Sequence, residues 1–367
     1  MQSIKLATVF SGIGSVEFAL RKLNINHKIV FACDNGEREL NVCTNDLLTE
    51  FLNKNNKYRK RIVDELYSKT GKYNYVKDTY FANYKIKENN WFEDIRFIDG
   101  TEFADKVDLF VGGSPCQSFS ISGKRLGLED ARGTLFYDFA RLVKEIQPKV
   151  FIYENVPGML NHDNGRTFEI ITSIFDELGY NWQFKKLVAT DFEIPQNRTR
   201  LYIVGFKKGS FKREFSFPVG EKTNLTVSDF LESEPINHKY FHGEKGFKWV
   251  TSEKSLKKRV SINSKIARTE TANQQFNWCG DMIFYPIDKQ KWALKDDNVY
   301  VGTFNNVKGV CRKLTPRECL RLMGYTDDFK IVVKDTVMYR QAGNSIVVNV
   351  MEAIIKEILK TGVFDND

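Results

Sequence analysis

The chain starts as strand, glycine turn and helix. Ile4 to Phe10 is a short apolar run that stops at Ser11-Gly12-Ile13-Gly14, and Val16 to Leu23 then carries helical apolar spacing. A second run, Lys28 to Cys33, ends at the acidic Asp34, and Asp108 to Val111, Lys149 to Tyr153 and Leu201 to Phe206 read as further buried strands. Helices fit between them at Leu135 to Ile146 and Phe168 to Leu178. Strands that alternate with helices predict an α/β fold, a doubly wound, mostly parallel, Rossmann-like sheet covered on both faces.

The alternation is interrupted twice. From Asp46 to Asn90 the chain is polar and rich in Lys, Asn and Tyr, with helical spacing at Ile62, Leu66 and Tyr67, which predicts an insertion on the core. From Lys207 to Val310 short β-like pieces sit among Gly, Asn and charged residues, as expected of a smaller, irregular, β-rich second domain. Helical signals return at Thr315 to Met323, where Thr315 is placed to cap and Pro316 suits the first turn. A last helix after Asn344 carries Ile346, Val347, Val350, Ile354 and Ile355, an apolar face that brings it back onto the first domain. The expected division is therefore 1–206 plus 341–367 for one domain and 207–340 for the other.

Composition narrows the partners. A formal charge of +8, from 55 basic and 47 acidic residues, favours a polyanion. The basic residues bunch at Lys54, Lys57, Arg59, Lys60 and Arg61 and at Lys254, Lys257, Lys258, Arg259, Lys265 and Arg268. A solvated face is the alternative reading of each run. No apolar run is long enough to span a bilayer, so the expectation is a cytoplasmic protein with no membrane partner. The 6 cysteines form no C-x-x-C pair and no zinc-like spacing, which predicts reduced, mostly structural thiols and no metal.

Three groups carry chemistry. The two-glycine turn lets backbone amides approach a ligand at a helix N-terminus, but Glu17 stands where the third glycine of a dinucleotide fingerprint belongs, which counts against NAD. With Asp34 placed to accept from ribose hydroxyls, the pattern fits a nucleoside cofactor without a pyrophosphate. Pro115-Cys116-Gln117, in a Gly112-Gly113-Ser114 turn after a buried strand, poses a thiol where an open α/β sheet does its chemistry. A thiolate nucleophile needs such a polar loop, whereas a buried structural cysteine is the other reading of that tripeptide alone. Glu154, at the end of an apolar strand, needs a partner or a task, and burial would raise its pKa so that it presents a proton to a ring nitrogen. Arg198 and Arg200 alternate at the mouth of the next strand, so they are expected on one face, to anchor a base carbonyl and a phosphate or to pair with Glu154.

In this order the pieces resemble the C5-cytosine DNA methyltransferases, most closely the small restriction-modification enzymes of the HhaI type. The resemblance rests on Phe10-Ser11-Gly12-Ile13-Gly14, Gly113-Ser114-Pro115-Cys116-Gln117-Ser118-Phe119-Ser120, Glu154-Asn155-Val156, Gln196-Asn197-Arg198-Thr199-Arg200, Arg312-Lys313-Leu314-Thr315-Pro316-Arg317-Glu318-Cys319 and Gln341-Ala342-Gly343-Asn344-Ser345. It implies the S-adenosylmethionine-dependent methyltransferase fold, with 207–340 as a target recognition domain. Cys116 would attack cytosine C6, Glu154 would bind the N3 edge, Arg200 would hold O2, and Arg198 would support the cysteine loop and a phosphate. S-adenosylmethionine, leaving as S-adenosylhomocysteine, would lie against Phe10, Gly12, Gly14 and Pro115. Asp34 would meet its ribose, Asp94 and Ile95 its adenine, and Asn344 and Ser345 its methionine end. Ser120, Ser122 and Arg132, in a stretch like the family's mobile catalytic loop, and Thr269 would touch DNA. The implied partner is double-stranded DNA, with room for a cognate restriction endonuclease acting separately on a monomeric, bacterial or phage-encoded, nucleoid-associated enzyme.

Three departures stand out. Thr8 occupies a position where many relatives have Asp, and Asp34 one where many have Glu. The insertion has no counterpart in the smallest enzymes, and its basic residues are expected to touch DNA outside the recognised site. Arg268-Thr269-Glu270-Thr271-Ala272 only partly resembles the Thr-Leu segment of a recognition domain, with Glu270 in place of Leu. The rivals are an RNA cousin acting on tRNA, whose Cys-Phe-Thr segment is not evident here, and a catalytically silent DNA-binding protein.

Overall fold

The computed structural model describes residues 3–114, 134–275, 278–295 and 298–365. The chain divides into two compact units, one of 1–187, 199–219 and 350–367 and one of 188–198 and 220–349. Residues 188–198 and 341–349, expected in the first domain, thus group with the second unit, and 207–219 with the first.

The first unit is built on a seven-stranded sheet. Its strands are β1 (Ile4–Val9), β2 (His27–Cys33), β3 (Trp91–Phe92), β4 (Leu109–Gly112), β5 (Val150–Asn155), β6 (Tyr180–Val188) and β7 (Thr199–Lys207), in the order β3-β2-β1-β4-β5-β7-β6. The first five in that order run parallel, whereas β7 is antiparallel to β5, pairing Glu154 with Tyr202. Strands β1, β4 and β5 are buried almost throughout because helices cover both faces, so they read as continuous apolar runs. Strand β6 sits at the edge and is mostly exposed, so it shows neither an apolar run nor a clean alternation.

Helix α1 (Ser15–Lys22) follows the glycine turn. The insertion supplies α2 (Thr44–Glu50), α3 (Asn56–Lys69) and α4 (Tyr75–Asn83), with Asn55 and Asn74 side chains capping the last two. Helix α5 (Leu135–Ile146) opens on a Thr134 cap and buries Phe136, Phe139, Leu142, Val143 and Ile146 in the main core. Helix α6 (Arg166–Glu177) adds Ile170, Ile171, Ile174 and Phe175 to that core.

The second unit holds α7 (Glu244–Val250), α8 (Glu253–Lys258) and a four-stranded sheet of β8 (Val260–Ile262), β9 (Gly280–Pro286), β10 (Gly302–Phe304) and β11 (Val307–Lys313), in the order β10-β11-β9-β8. Phe247, Val250, Met282, Phe284 and Cys311 form a small core in it. Helices α9 (Pro316–Leu322) and α10 (Asp335–Asn344) complete it, and α9 begins on the Thr315 cap and Pro316 that the sequence indicated. The final helix, α11 (Val348–Lys360), buries Met351, Ile354, Ile355 and Ile358, and its residues from Val350 onward belong to the first unit.

Candidate active site

The strand end at β1 is a tight left-handed turn. Phe10, Gly12 and Gly14 have φ of 53°, 51° and 76°. A left-handed conformation is cheap for glycine and costs a bulky residue like Phe10 of order 1–3 kcal/mol, a strain that clusters at ligand-binding sites. The Gly12 amide donates to Asp34 Oδ2 and the Gly36 amide to Asp34 Oδ1, both at 2.8 Å, so the end of β2 is tied to the turn. Burial pushes the Asp34 carboxyl up while those two donors hold it down. Beneath the turn, the Thr8 hydroxyl donates to buried Glu17 at 2.9 Å, and burial raises the Glu17 pKa. An Asp at position 8 would place a second carboxylate there.

Asp94 and Ile95 follow β3 and are both buried. The Asp94 carboxylate accepts from the Tyr67 hydroxyl at 2.8 Å and from the Arg96 guanidinium at 2.7 Å, and the Ile95 carbonyl accepts from Arg141 at 2.9 Å. The insertion thereby already holds the carboxylate expected to meet an adenine.

Residues 115–133 lie outside the described residues, and with them Pro115, Cys116, Ser120, Ser122 and Arg132. The turn that leads to them is described as far as Ser114. Its carbonyl accepts from Asn155 Nδ2 at 3.0 Å, its hydroxyl shares a 2.6 Å bond with Tyr153, and Asn155 Nδ2 also reaches that tyrosine at 3.1 Å. A Cβ on Gly113 would stand 2.6 Å from the Glu154 carbonyl, so the turn lies directly against β5. Glu154 Oε1 is 3.1 Å from Arg200 Nε, with both side chains about one-sixth exposed. The carboxylate at the strand end therefore has the cationic partner that its burial demands. Asn155 was missed as a functional residue, although it stands inside the quoted Glu154-Asn155-Val156 block.

Arg198 and Arg200 have different partners. Arg198 precedes β7, where strand alternation does not apply, and its guanidinium donates to the carbonyls of Glu270 at 2.6 Å, Gly343 at 3.2 Å and Ser345 at 2.7 Å. All four residues belong to the second unit. Buried Gln196 adds a bond to the Leu322 carbonyl at 2.9 Å and accepts the Glu270 amide at 3.0 Å, while the Thr269 hydroxyl donates to the Asn197 carbonyl. Segment 267–271 is thus strapped to 195–198. In the same unit, exposed Asn344 ends α10 and the buried Ser345 hydroxyl bonds Tyr325 at 2.8 Å.

Glu270 is buried, and desolvation pushes its carboxyl up to about 8; neighbouring Asp281 is pushed up to about 7 for the same reason. A protonated glutamic acid costs far less to bury than a carboxylate, which is how Glu270 can occupy a fully buried position. Both groups hold a proton in the folded protein at pH values where the unfolded chain has released it, so stability falls as pH rises from about 5 through 8. Thermal melts across that range are expected to show this decline, and Glu270→Gln to flatten it. An unchanged slope in the variant would show that Glu270 is ionised in the fold.

The described cysteines form no disulfide, and burial pushes the Cys33, Cys279, Cys311 and Cys319 thiols up, so none of these four is an activated thiolate. Among the described residues no cluster of three or more His, Cys, Asp or Glu is placed to hold a metal, and no helix is long and apolar enough to cross a membrane. The basic run on α8 and after it is exposed, whereas in the insertion Lys60 pairs with Asp64 at 2.6 Å and Arg59 with Asp99 at 3.1 Å.

The model of the C-5 cytosine-specific DNA methylase family matches residues 4–360. Type II methyltransferase M.SsoII of Shigella sonnei is 36% identical over 296 residues, spanning 78% of this chain and 72% of that protein. Type II methyltransferase M.HhaI of Haemophilus parahaemolyticus is 35% identical over 296 residues, spanning 77% and 84%. Among solved structures, the Dnmt2 methyltransferase of S. pombe shares the fold, with a TM-score of 0.64 at 20% identity over 97% of this chain and 98% of its own. The strand-end turns, the Glu154–Arg200 pair and the match along nearly the whole sequence lead to one assignment: this chain belongs to the C-5 cytosine-specific DNA methylases and is a DNA cytosine-5 methyltransferase.

Proposed function

We propose that this enzyme transfers a methyl group from S-adenosylmethionine to C5 of a cytosine flipped out of one short duplex sequence, by way of a covalent bond between Cys116 and C6, as the modification enzyme of a restriction-modification or phage protection system. The observation that carries the reading is the framed strand end at 112–114, with Asn155 on the Ser114 carbonyl and the Glu154–Arg200 pair beside it. Open α/β sheets bind ligands at the carboxyl ends of their strands.

Cytosine C5 is a poor nucleophile. Addition of the Cys116 thiolate to C6 pushes electron density onto N3 and C5, making C5 enamine-like. Glu154, in its protonated form, gives its proton to N3 where that charge develops and accepts from the amino group, and Arg200, which lies beside it, is oriented for O2. Bound S-adenosylmethionine supplies the methyl group as an electrophile. Loss of the C5 proton to a base, with expulsion of the Cys116 thiolate from C6, then restores the aromatic ring. Flipping costs a few kcal/mol of unstacking, which contacts to the extruded base must offset.

The donor set of the first unit supports the cofactor. An ionised carboxylate offers about four acceptor sites. Asp34 uses two on the Gly12 and Gly36 amides, which leaves two for ribose hydroxyls. Phe10, Gly12 and Gly14 would hold the cofactor from the turn, with Asp94 and Ile95 toward the adenine. Incubation with labelled S-adenosylmethionine and either duplex DNA or tRNA, followed by bisulfite mapping, tests the reading. Methylation of duplex DNA in one short context is expected; labelling of tRNA alone would move the assignment to the RNA cousin.

A further inference from the structure

Four polar side chains of the insertion at 46–90, Tyr67, Asn74, Tyr80 and Tyr84, reach inward to the turns proposed to hold the cofactor and to the residues beside them. The Tyr84 hydroxyl lies 3.0 Å from the Ile13 carbonyl and 2.6 Å from that of Gly14 and donates to both. Its ring stands where a Gly14 side chain would be, since a Cβ on Gly14 would lie 2.2 Å from Tyr84 Cε2. One turn earlier on α4, the Tyr80 hydroxyl donates to Glu17 at 2.6 Å, on the same oxygen that accepts from Thr8. Asn74, the α4 cap, donates to the Asp34 carbonyl at 2.9 Å and to Glu93 at 2.8 Å, and its Oδ1 would meet a Gly36 Cβ at 2.3 Å. Tyr67, on α3, completes the set on Asp94. The loops of Gly12 and Gly14 and of Gly36, all left-handed, are therefore clamped by insertion side chains, and two of the insertion's basic residues are already committed to Asp64 and Asp99.

We propose that the insertion is a wall of the cofactor site, and that Tyr84 and Asn74 are positioning residues that hold the Gly12–Gly14 turn and the Asp34 loop in the geometry that binds S-adenosylmethionine. The inference rests on the cofactor reading above. A turn with three left-handed residues is costly to hold, and each hydroxyl or amide removed widens the set of conformations that must be narrowed again on binding.

Calorimetric titration of the intact chain with S-adenosylhomocysteine provides the test, wild type beside Tyr84→Phe and Asn74→Ala. Tyr84→Phe keeps the ring that packs 4.8 Å from Tyr80 and loses only the hydroxyl. The expected result is at least tenfold weaker binding in each variant, a rise in KM for the cofactor that exceeds any fall in kcat, and duplex DNA affinity without cofactor unchanged within twofold. DNA affinity thus also reports that the variants are folded. Wild-type binding with both variants within twofold of it would overturn the proposal, as would weakened DNA binding at unaltered cofactor affinity. If the wild type itself fails to bind S-adenosylhomocysteine, the cofactor reading falls and this inference with it.

Discussion

Replacement of Cys116 by Ser is expected to lower methyl transfer to duplex DNA on the order of 10³-fold or more while leaving DNA and cofactor bound, because an alcohol at neutral pH presents almost no anion to add to C6. Without the thioether at C6 the ring would keep its aromatic distribution of charge, and contacts from Glu154 or Arg200 alone would not make C5 nucleophilic. Single-turnover labelling separates this from a binding defect. Retention of more than about a tenth of the wild-type rate would mean that the reaction does not pass through a covalent adduct at this residue. Four of the other five cysteines offer no substitute. Burial raises the thiols of Cys33, Cys279, Cys311 and Cys319, and none of them follows a glycine-rich strand end.

Removal of Glu318 is expected to destabilise the second unit by about 3–5 kcal/mol, the cost of leaving a buried charge without its partner. Arg312 and Glu318 are fully buried and meet in a fork, with Nη1 to Oε2 at 2.7 Å and Nη2 to Oε1 at 2.8 Å. Glu318 also accepts the Thr315 amide at 2.8 Å and the Glu232 amide at 3.0 Å, so one side chain closes the capping box of α9, neutralises β11 and fixes residue 232. Urea unfolding of Glu318→Ala should show the drop in midpoint, and the double replacement Arg312→Met with Glu318→Leu should recover most of it, since an apolar pair of similar volume removes both desolvated charges. A double variant no more stable than the single one would show that the capping bonds, rather than the unpaired guanidinium, carry the loss. The block Arg312–Cys319, which contributes to the family resemblance, is thus explained by architecture.

What could be read in the sequence follows from where the information is local. Strands β1, β4 and β5 are buried on both faces, so composition alone reveals them, and the cap and proline of α9 are consecutive residues. Edge strand β6 carries Lys185 and Lys186 among exposed neighbours and gives no such signal. Arg198 stands one residue before β7 begins, so strand alternation says nothing about its partners. The pairing of Arg200 with Glu154 was foreseen as one of two options, whereas the three carbonyls on Arg198 come from positions 72 to 147 residues away and leave no local trace. The contacts of the insertion were illegible for the same reason: Tyr84 and Gly14 are 70 residues apart, and nothing in either neighbourhood announces the other.

The first unit is assembled from three separate stretches of chain, and most of the second unit, residues 220–349, is made between the second and the third. During synthesis, residues 350–367 leave the ribosome after that second unit, and until they do the first unit lacks the buried face of Met351, Ile354, Ile355 and Ile358, and the Lys212 and Arg213 amides lack the Thr361 carbonyl they bond at 3.0 and 3.1 Å. Domains ordinarily fold in order of emergence at about 5–20 residues per second. Here the order is inverted: the second unit can be complete while the first still waits for its last segment, so a chain cut short before Val350 is expected to lose the first unit rather than the second.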